Sequence, residues 1–382
     1  MEFSLWNYGS FDSYYGDAKS AVAEWKELGI TTGFSFYYEE GEENKRKMLA
    51  LLDECAAAGI RVIMNDPRTG ARKLEKEGEK AFAASVARAA SDFGHHPAVW
   101  AWFVGDEPDK GEFALFRRAA EIISEETPNK PFVNFYPYGM YLKEQYSNSQ
   151  EAYMKDVEKC AEVLPLLAFD RYAQCFAPDF ENNWKWRGLE WYFSDLNAFA
   201  AGGKRLGVPC WLSALAVGHW NYRTPTQDDI CWQISTAFAH GMQGIQWFFP
   251  YQHRYADDYF GYAIYHSGHK SELYYHIVNE TKSFKVRIEE RFQGYRHQNV
   301  WHISKSYADT PRLKNDSESD YFVVGLHEHF GILARFADDK GESKYILCNG
   351  EQSGPEVFAI TNKRTGDYRT VWLPPGGTTV LG

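Results

Sequence analysis

The stretch His95-His-Pro-Ala-Val-Trp-Ala-Trp-Phe-Val-Gly-Asp-Glu-Pro108 decides how this chain reads. Residues 99–104 are apolar and aromatic without a break, the pattern of a strand buried on both faces of a parallel sheet. Gly105 follows, then two adjacent carboxylates, Asp106 and Glu107. Pro108 has no N–H to give to a ladder and stops the strand. A helical pattern comes next, over about residues 112–126. An acid pair at the carboxyl end of a buried strand is where α/β barrels and open α/β sheets hold their chemistry. The competing reading makes Asp106 the N-cap of the following helix.

Outward from this stretch, short apolar runs alternate with helix-length segments. Strands are expected over 3–8, 30–38, 60–65, 99–104, 132–136, 166–169, 209–217 and 244–249, and the last helix over 271–292. Eight strand–helix units in a row favour a closed (β/α)8 TIM barrel over an open doubly wound sheet. From about residue 297 the texture becomes short alternating runs broken by turn clusters such as Asp338-Asp339-Lys340-Gly341. That predicts a small antiparallel, sandwich-like β domain over 297–382 behind a barrel over 1–296.

The bulk composition narrows the partners. The chain has 382 residues, enough for a barrel of about 250 residues and one addition. Its net charge of −11 and lack of a basic patch argue against a nucleic-acid partner. Tyr, Phe and Trp make up 17%, which suits both a large core and a cleft that stacks on sugar faces. The six cysteines are scattered with no metal spacing, as expected of free thiols in a reducing compartment. No apolar run is long enough to cross a membrane. As it stands the N-terminus lacks a basic n-region and an apolar h-region, so a cytoplasmic location is expected; a removed signal would make it periplasmic or secreted. No GxGxxG or GxxxxGK[ST] motif is present and the carboxylates and histidines show no ligand spacing, so no cofactor and no metal are expected, and without a GxSxG elbow no Ser-His-Asp arrangement is signalled.

Polar groups gather at the strand ends. They are Glu39 and Glu40 after the second strand, Asp66 after the third, Asp106 and Glu107 after the fourth, and Asn134 on the fifth. Asp170 and Tyr172 follow the sixth, His219 and Trp220 the seventh, and Tyr251 with His253 the eighth. The chemistry left to such a set is that of paired carboxylates. One protonates a leaving oxygen and the other acts as nucleophile or base. Glu107 is the natural acid. Asp106 reads as its support, and Tyr172, Trp220, Trp247 and Tyr251 as platforms for a sugar. His219 would donate to hydroxyls or fix a loop. Trp100 and Trp102 share one face unless a bulge intervenes, and both read as core.

The Asp106-Glu107-Pro108 strand end resembles the one that carries the acid/base Glu in the large (β/α)8 glycoside hydrolase clan, which includes the family 42 β-galactosidases. A closer similarity is to a group of bacterial family-42-like barrel proteins. It rests on Ala98-Val-Trp-Ala-Trp102 leading into Gly105-Asp-Glu-Pro108, on Phe169-Asp-Arg-Tyr172, on Val217-Gly-His219, and on Thr224-Pro-Thr226 with Trp232-Gln233 before Gly241-Met-Gln-Gly-Ile245. The resemblance implies a glycosidase acting on a carbohydrate substrate. The clan also places a nucleophile Glu at the end of strand seven, where this chain reads Cys210-Trp-Leu-Ser-Ala-Leu-Ala-Val217 without an acid. By resemblance to other glycosidase barrels that pair carboxylates on strands four and six, Asp170 is the expected second carboxylate; the competing reading makes it a buried Asp that hydrogen-bonds loop amides. The alternatives are a sugar-binding barrel without hydrolysis, and an isomerase or lyase that uses Glu107 as base.

Overall fold

The computed structural model describes residues 1–138, 149–175, 188–253 and 258–382. Eight parallel strands close into a barrel: β1 (Glu2–Leu5), β2 (Thr32–Phe34), β3 (Arg61–Met64), β4 (Val99–Asp106), β5 (Lys130–Phe135), β6 (Leu167–Asp170), β7 (Cys210–Leu215) and β9 (Gly244–Phe248), which pairs back onto β1. Between β7 and β9, β8 (Gly218–His219) pairs antiparallel with β10 (Tyr259–Phe260) in a small ribbon that the sequence did not announce.

Around the barrel lie α1 (Ala18–Glu27), α2 (Glu42–Ala58), α3 (Ala71–Glu77), α4 (Glu79–Ala89), α5 (Phe113–Glu126), α6 (Gln150–Ala161), α7 (Gly188–Leu206), α8 (Gln227–Ala239) and α9 (Glu272–Arg287). Their ends follow local chemistry. Asp17 caps α1 through the Ser20 amide, Thr226 and Asp229 form a capping box on α8, and α2 stops at Gly59 with φ +71°. No helix among the described residues is long and apolar enough to cross a membrane.

Seven further strands follow: β11 (Arg296–Ile303), β12 (Tyr321–Gly325), β13 (Gly331–Ala337), β14 (Ser343–Asn349), β15 (Glu356–Asn362), β16 (Tyr368–Leu373) and β17 (Thr378–Leu381). They make two antiparallel sheets, β11-β13-β14-β17 and β12-β15-β16. Leu333 and Leu347 of the first sheet and Val323, Phe358 and Ile360 of the second fill the space between them. Alternation sends Ile332, Ala334 and Phe336 to the other face, against the barrel. There Phe336 stacks on Phe238 of α8 with ring centroids 4.8 Å apart, and Trp232 donates to the Gly350 carbonyl at 2.7 Å.

Two irregularities in β4 decide where its side chains point. On the β3 side the register jumps from Val99 to Ala101, which separates the two tryptophans. Trp100 stacks on Trp211 beneath the barrel, whereas Trp102 turns into the helix layer and donates to Thr127 Oγ1 at 3.2 Å. On the β5 side the register jumps from Phe103 to Gly105. Phe103 packs on Trp6 inside the barrel, and a Cβ on Gly105 would lie 2.7 Å from Phe116 of α5. Trp102 and Asp106 are four residues apart and would share a face in a regular strand. The extra residue, Val104, instead turns Asp106 inward.

Candidate active site

A cleft of about 290 Å³ opens at the carboxyl ends of the strands, and Asp106, Glu107, Asn134, Asp170, Tyr172, His219 and Trp220 all line it. The structure brings these seven expected residues together. Asp106 does not cap the following helix: α5 begins at Phe113, and Glu112 sits at its N-cap.

Asn134 organises the acids. Its Nδ2 donates to Asp106 Oδ1 at 2.9 Å and to Asp170 Oδ1 at 3.1 Å. Its orientation is fixed from behind, because Trp6 Nε1 donates to Ser213 Oγ at 3.0 Å and that hydroxyl donates to Asn134 Oδ1 at 3.4 Å. The network therefore ties together the ends of β1, β4, β5, β6 and β7. Glu107 has φ +47°, a left-handed conformation that costs a residue with a Cβ about 1–3 kcal/mol and must be held by its surroundings. The Glu107 amide is held by the Asn134 carbonyl at 2.9 Å.

Glu107 and Asp170 are hydrogen-bonded side chain to side chain. Burial raises the Glu107 carboxyl far above the usual range, and the charges of Asp170 and Asp106 add to it. Burial raises Asp170 as well, but the bonds from Glu107 and Asn134 and the Arg171 guanidinium hold it back. Glu107 thus keeps the proton and Asp170 accepts it. Asp106 is also raised, by the crowding of the walls and by the charge of Asp170, although its surface opens to the cleft.

Aromatic rings form the walls. Tyr172 stacks on Phe248 at 5.3 Å and meets Tyr222 edge-on at 5.3 Å. Trp220 is 67% exposed at the mouth with φ +49°. The β8–β10 ribbon carries His219, which stacks on Tyr259 at 4.8 Å. Burial pushes the His219 imidazole down to about 4, so it is neutral at physiological pH. The phenols of Tyr8 and Tyr172 are pushed well up, by burial first and the acids next, and stay protonated as hydrogen-bond donors.

Two expected platforms are corrected. Trp247 is fully buried; it pairs in register with Leu5 and Ala214 and faces the helix layer, and the neighbouring Phe248 takes the cleft position. Tyr251 lies behind the wall, donating to Glu24 Oε2 at 3.1 Å and accepting from Trp25 Nε1 at 3.0 Å. Asp66 is buried in an ion pair with Arg68, which also binds Asp92, and Glu39 and Glu40 are exposed. His253 lies beside Tyr8 in a neighbouring pocket.

Tyr8, Tyr136, Tyr222 and Tyr259 line the cleft without having been foreseen. Tyr8 was legible: it has the parity of Trp6 at the end of the first strand. Tyr259 was not, since only the ribbon brings it there. Among the described residues no group of three His, Cys, Asp or Glu side chains is arranged to hold a metal ion.

No family model and no curated protein matches the chain. Solved structures do. The β-galactosidase of the psychrophilic Marinomonas ef1 is similar at a TM-score of 0.52 and 12% identity, over 76% of this chain and 60% of its own. A β-galactosidase from the Antarctic haloarchaeon Halorubrum lacusprofundi is similar at 0.52 and 11%, over 75% and 58%. The β-glucuronidase of Ruminococcus gnavus is similar at 0.51 and 12%, over 74% and 49%. The chain thus covers at most 60% of the length of these glycosidases. At such identities the likeness is one of fold: the closed parallel barrel is shared with these proteins.

Proposed function

We propose that this barrel hydrolyses a glycosidic bond in a small oligosaccharide or glycoside, with Glu107 as general acid and Asp170 as the second carboxylate. The observation that carries the reading is Glu107 beside Asp170 in an aromatic-walled cleft, where burial raises the Glu107 carboxyl so that it holds its proton. A carboxylic acid held protonated at neutral pH can donate to a departing glycosidic oxygen, and a carboxylate beside it can take the anomeric carbon or a water. Substrate entering between the two would replace their mutual bond. Tyr172 and Trp220 would stack on the sugar, and the neutral His219 would bond a hydroxyl.

A second reading, a sugar-binding barrel without turnover, is favoured by the end of β7, where Leu215 and the following Ala216 and Val217 are fully buried and no carboxylate enters the cleft from there. A panel of aryl glycosides separates the two. Release of the phenol by the wild-type protein supports hydrolysis. Saturable sugar binding with no phenol released supports the second reading.

A further inference from the structure

A large cavity lies at the other end of the barrel. It measures about 1030 Å³ and is walled by the amino ends of the strands and by the segment that enters β11. Trp100 and Trp211 form its roof, and the cations Arg61, Lys130, Lys204 and Arg296 line it. The carboxylates in its wall are already engaged. Glu2 takes Arg61 at 3.3 Å and Thr31 Oγ1 at 2.5 Å, and Glu289 takes the Met1 amino group.

Among the described residues, neither Lys130 nor Lys204 has a carboxylate partner. Lys204 is exposed on the cavity wall, and its ammonium reaches only His297 Nδ1 at 3.5 Å and the Gln298 carbonyl at 3.4 Å. His297 Nε2 is closed off from solvent with no partner. The neighbouring walls partly desolvate the Lys204 ammonium and lower its pKa, and an anion set against it would offset that effect. The local excess of positive charge is also notable in a chain of net charge −11. Large cavities at domain junctions, with convergent polar groups and perturbed ionisable residues, are where small ligands bind.

We infer that this cavity is a second ligand site, independent of the catalytic cleft, which takes a small organic anion. The oxyanion, a carboxylate or a phosphate ester, would pair with Lys204 and Lys130, and its apolar body would rest among Phe238, Phe292 and Tyr295. Phenyl phosphate, benzoate and the neutral benzyl alcohol, titrated by calorimetry, are the probes. Saturable binding of phenyl phosphate or benzoate but not of benzyl alcohol is expected, and which anion binds tells phosphate ester from carboxylate. Binding should weaken at least about tenfold in Lys204→Gln and more modestly in Lys130→Gln, an exposed position where folding is not at stake. It should persist in Glu107→Gln, since that residue lies at the opposite end. The inference is overturned if neither anion binds saturably, or if both lysine variants bind as the wild type does.

Discussion

Glu107 gives a hydrogen bond to Asp170, which stands two strands further round the barrel. The bond makes one acid and one base of two like side chains, because the environment raises the first more than the second. The consequences of that pairing can be tested one residue at a time.

Asn134→Leu keeps the bulk but removes the donor shared by Asp106 and Asp170. Hydrogen bonds to charged groups are worth about 1.5–3 kcal/mol, so kcat/KM should fall about 10–100-fold. Both carboxylates lose a bond that favours their charged form, so the acid limb of the pH–kcat/KM profile should move up. An unmoved limb would mean that the amide does not tune the acids.

Asp170→Ala separates three roles. If Asp170 is the nucleophile, turnover is abolished, and azide restores it as a glycosyl azide of inverted anomeric configuration. If it is an inverting base, the wild-type protein releases product of inverted configuration, which NMR of the first-formed sugar detects. If it only holds substrate, KM rises and most of kcat survives.

Gly105→Ala puts a Cβ 2.7 Å from Phe116 at a backbone with φ +154°. Overpacking of this kind costs about 1–3 kcal/mol, and it should lower the Tm and displace the acid pair together. Phe116→Val in the same chain should recover part of both. No recovery would show that the backbone strain, rather than the contact, is at fault.

The barrel and its first acid were legible because residues 99–107 combine a buried strand, a glycine and two carboxylates in one short run. Asn134, Asp170 and His219 were legible as polar residues at strand ends. The direction in which each points was harder. Parity alone would set Asp106 beside Trp102 in the helix layer, and the bulge at Val104 that turns it inward has no signature beyond Gly105. Trp247 failed for the same reason: one position along β9 separates the cleft from the helix layer, and only register with β1 fixes which residue faces in. Tyr259 depends on a two-residue ribbon too short to show a period.

The junction between the barrel and the small sheets should be acid-sensitive. His240 Nδ1 donates to the Thr236 carbonyl at 2.9 Å, and His302 Nδ1 accepts from the Tyr307 amide at 3.1 Å. The two Nε2 atoms meet at 3.2 Å, so His302 must donate to His240 and both rings are neutral. Burial pushes His240 down to about 4 and His302 to about 2. In the unfolded chain each titrates near about 6.5. A depressed histidine leaves the native state with fewer protons than the unfolded one. Its contribution is therefore complete above about pH 6.5 and is lost as the pH falls toward 4, by up to about 1.4 kcal/mol per pH unit for each ring. The Tm should drop steadily from pH 7 to 4.5, and less steeply in His240→Gln/His302→Gln; equal slopes would contradict the assignment.

The most direct test of the proposed chemistry is the kcat/KM of Glu107→Gln against the wild type on glycosides with good and poor leaving groups. A general acid contributes about 10²–10⁴-fold, and most where the leaving oxygen needs its proton. The variant, folded by circular dichroism, should lose two or more orders of magnitude on an alkyl glycoside and much less on a dinitrophenyl one. Wild-type turnover, or an equal loss on both substrates, would contradict Glu107 as the acid.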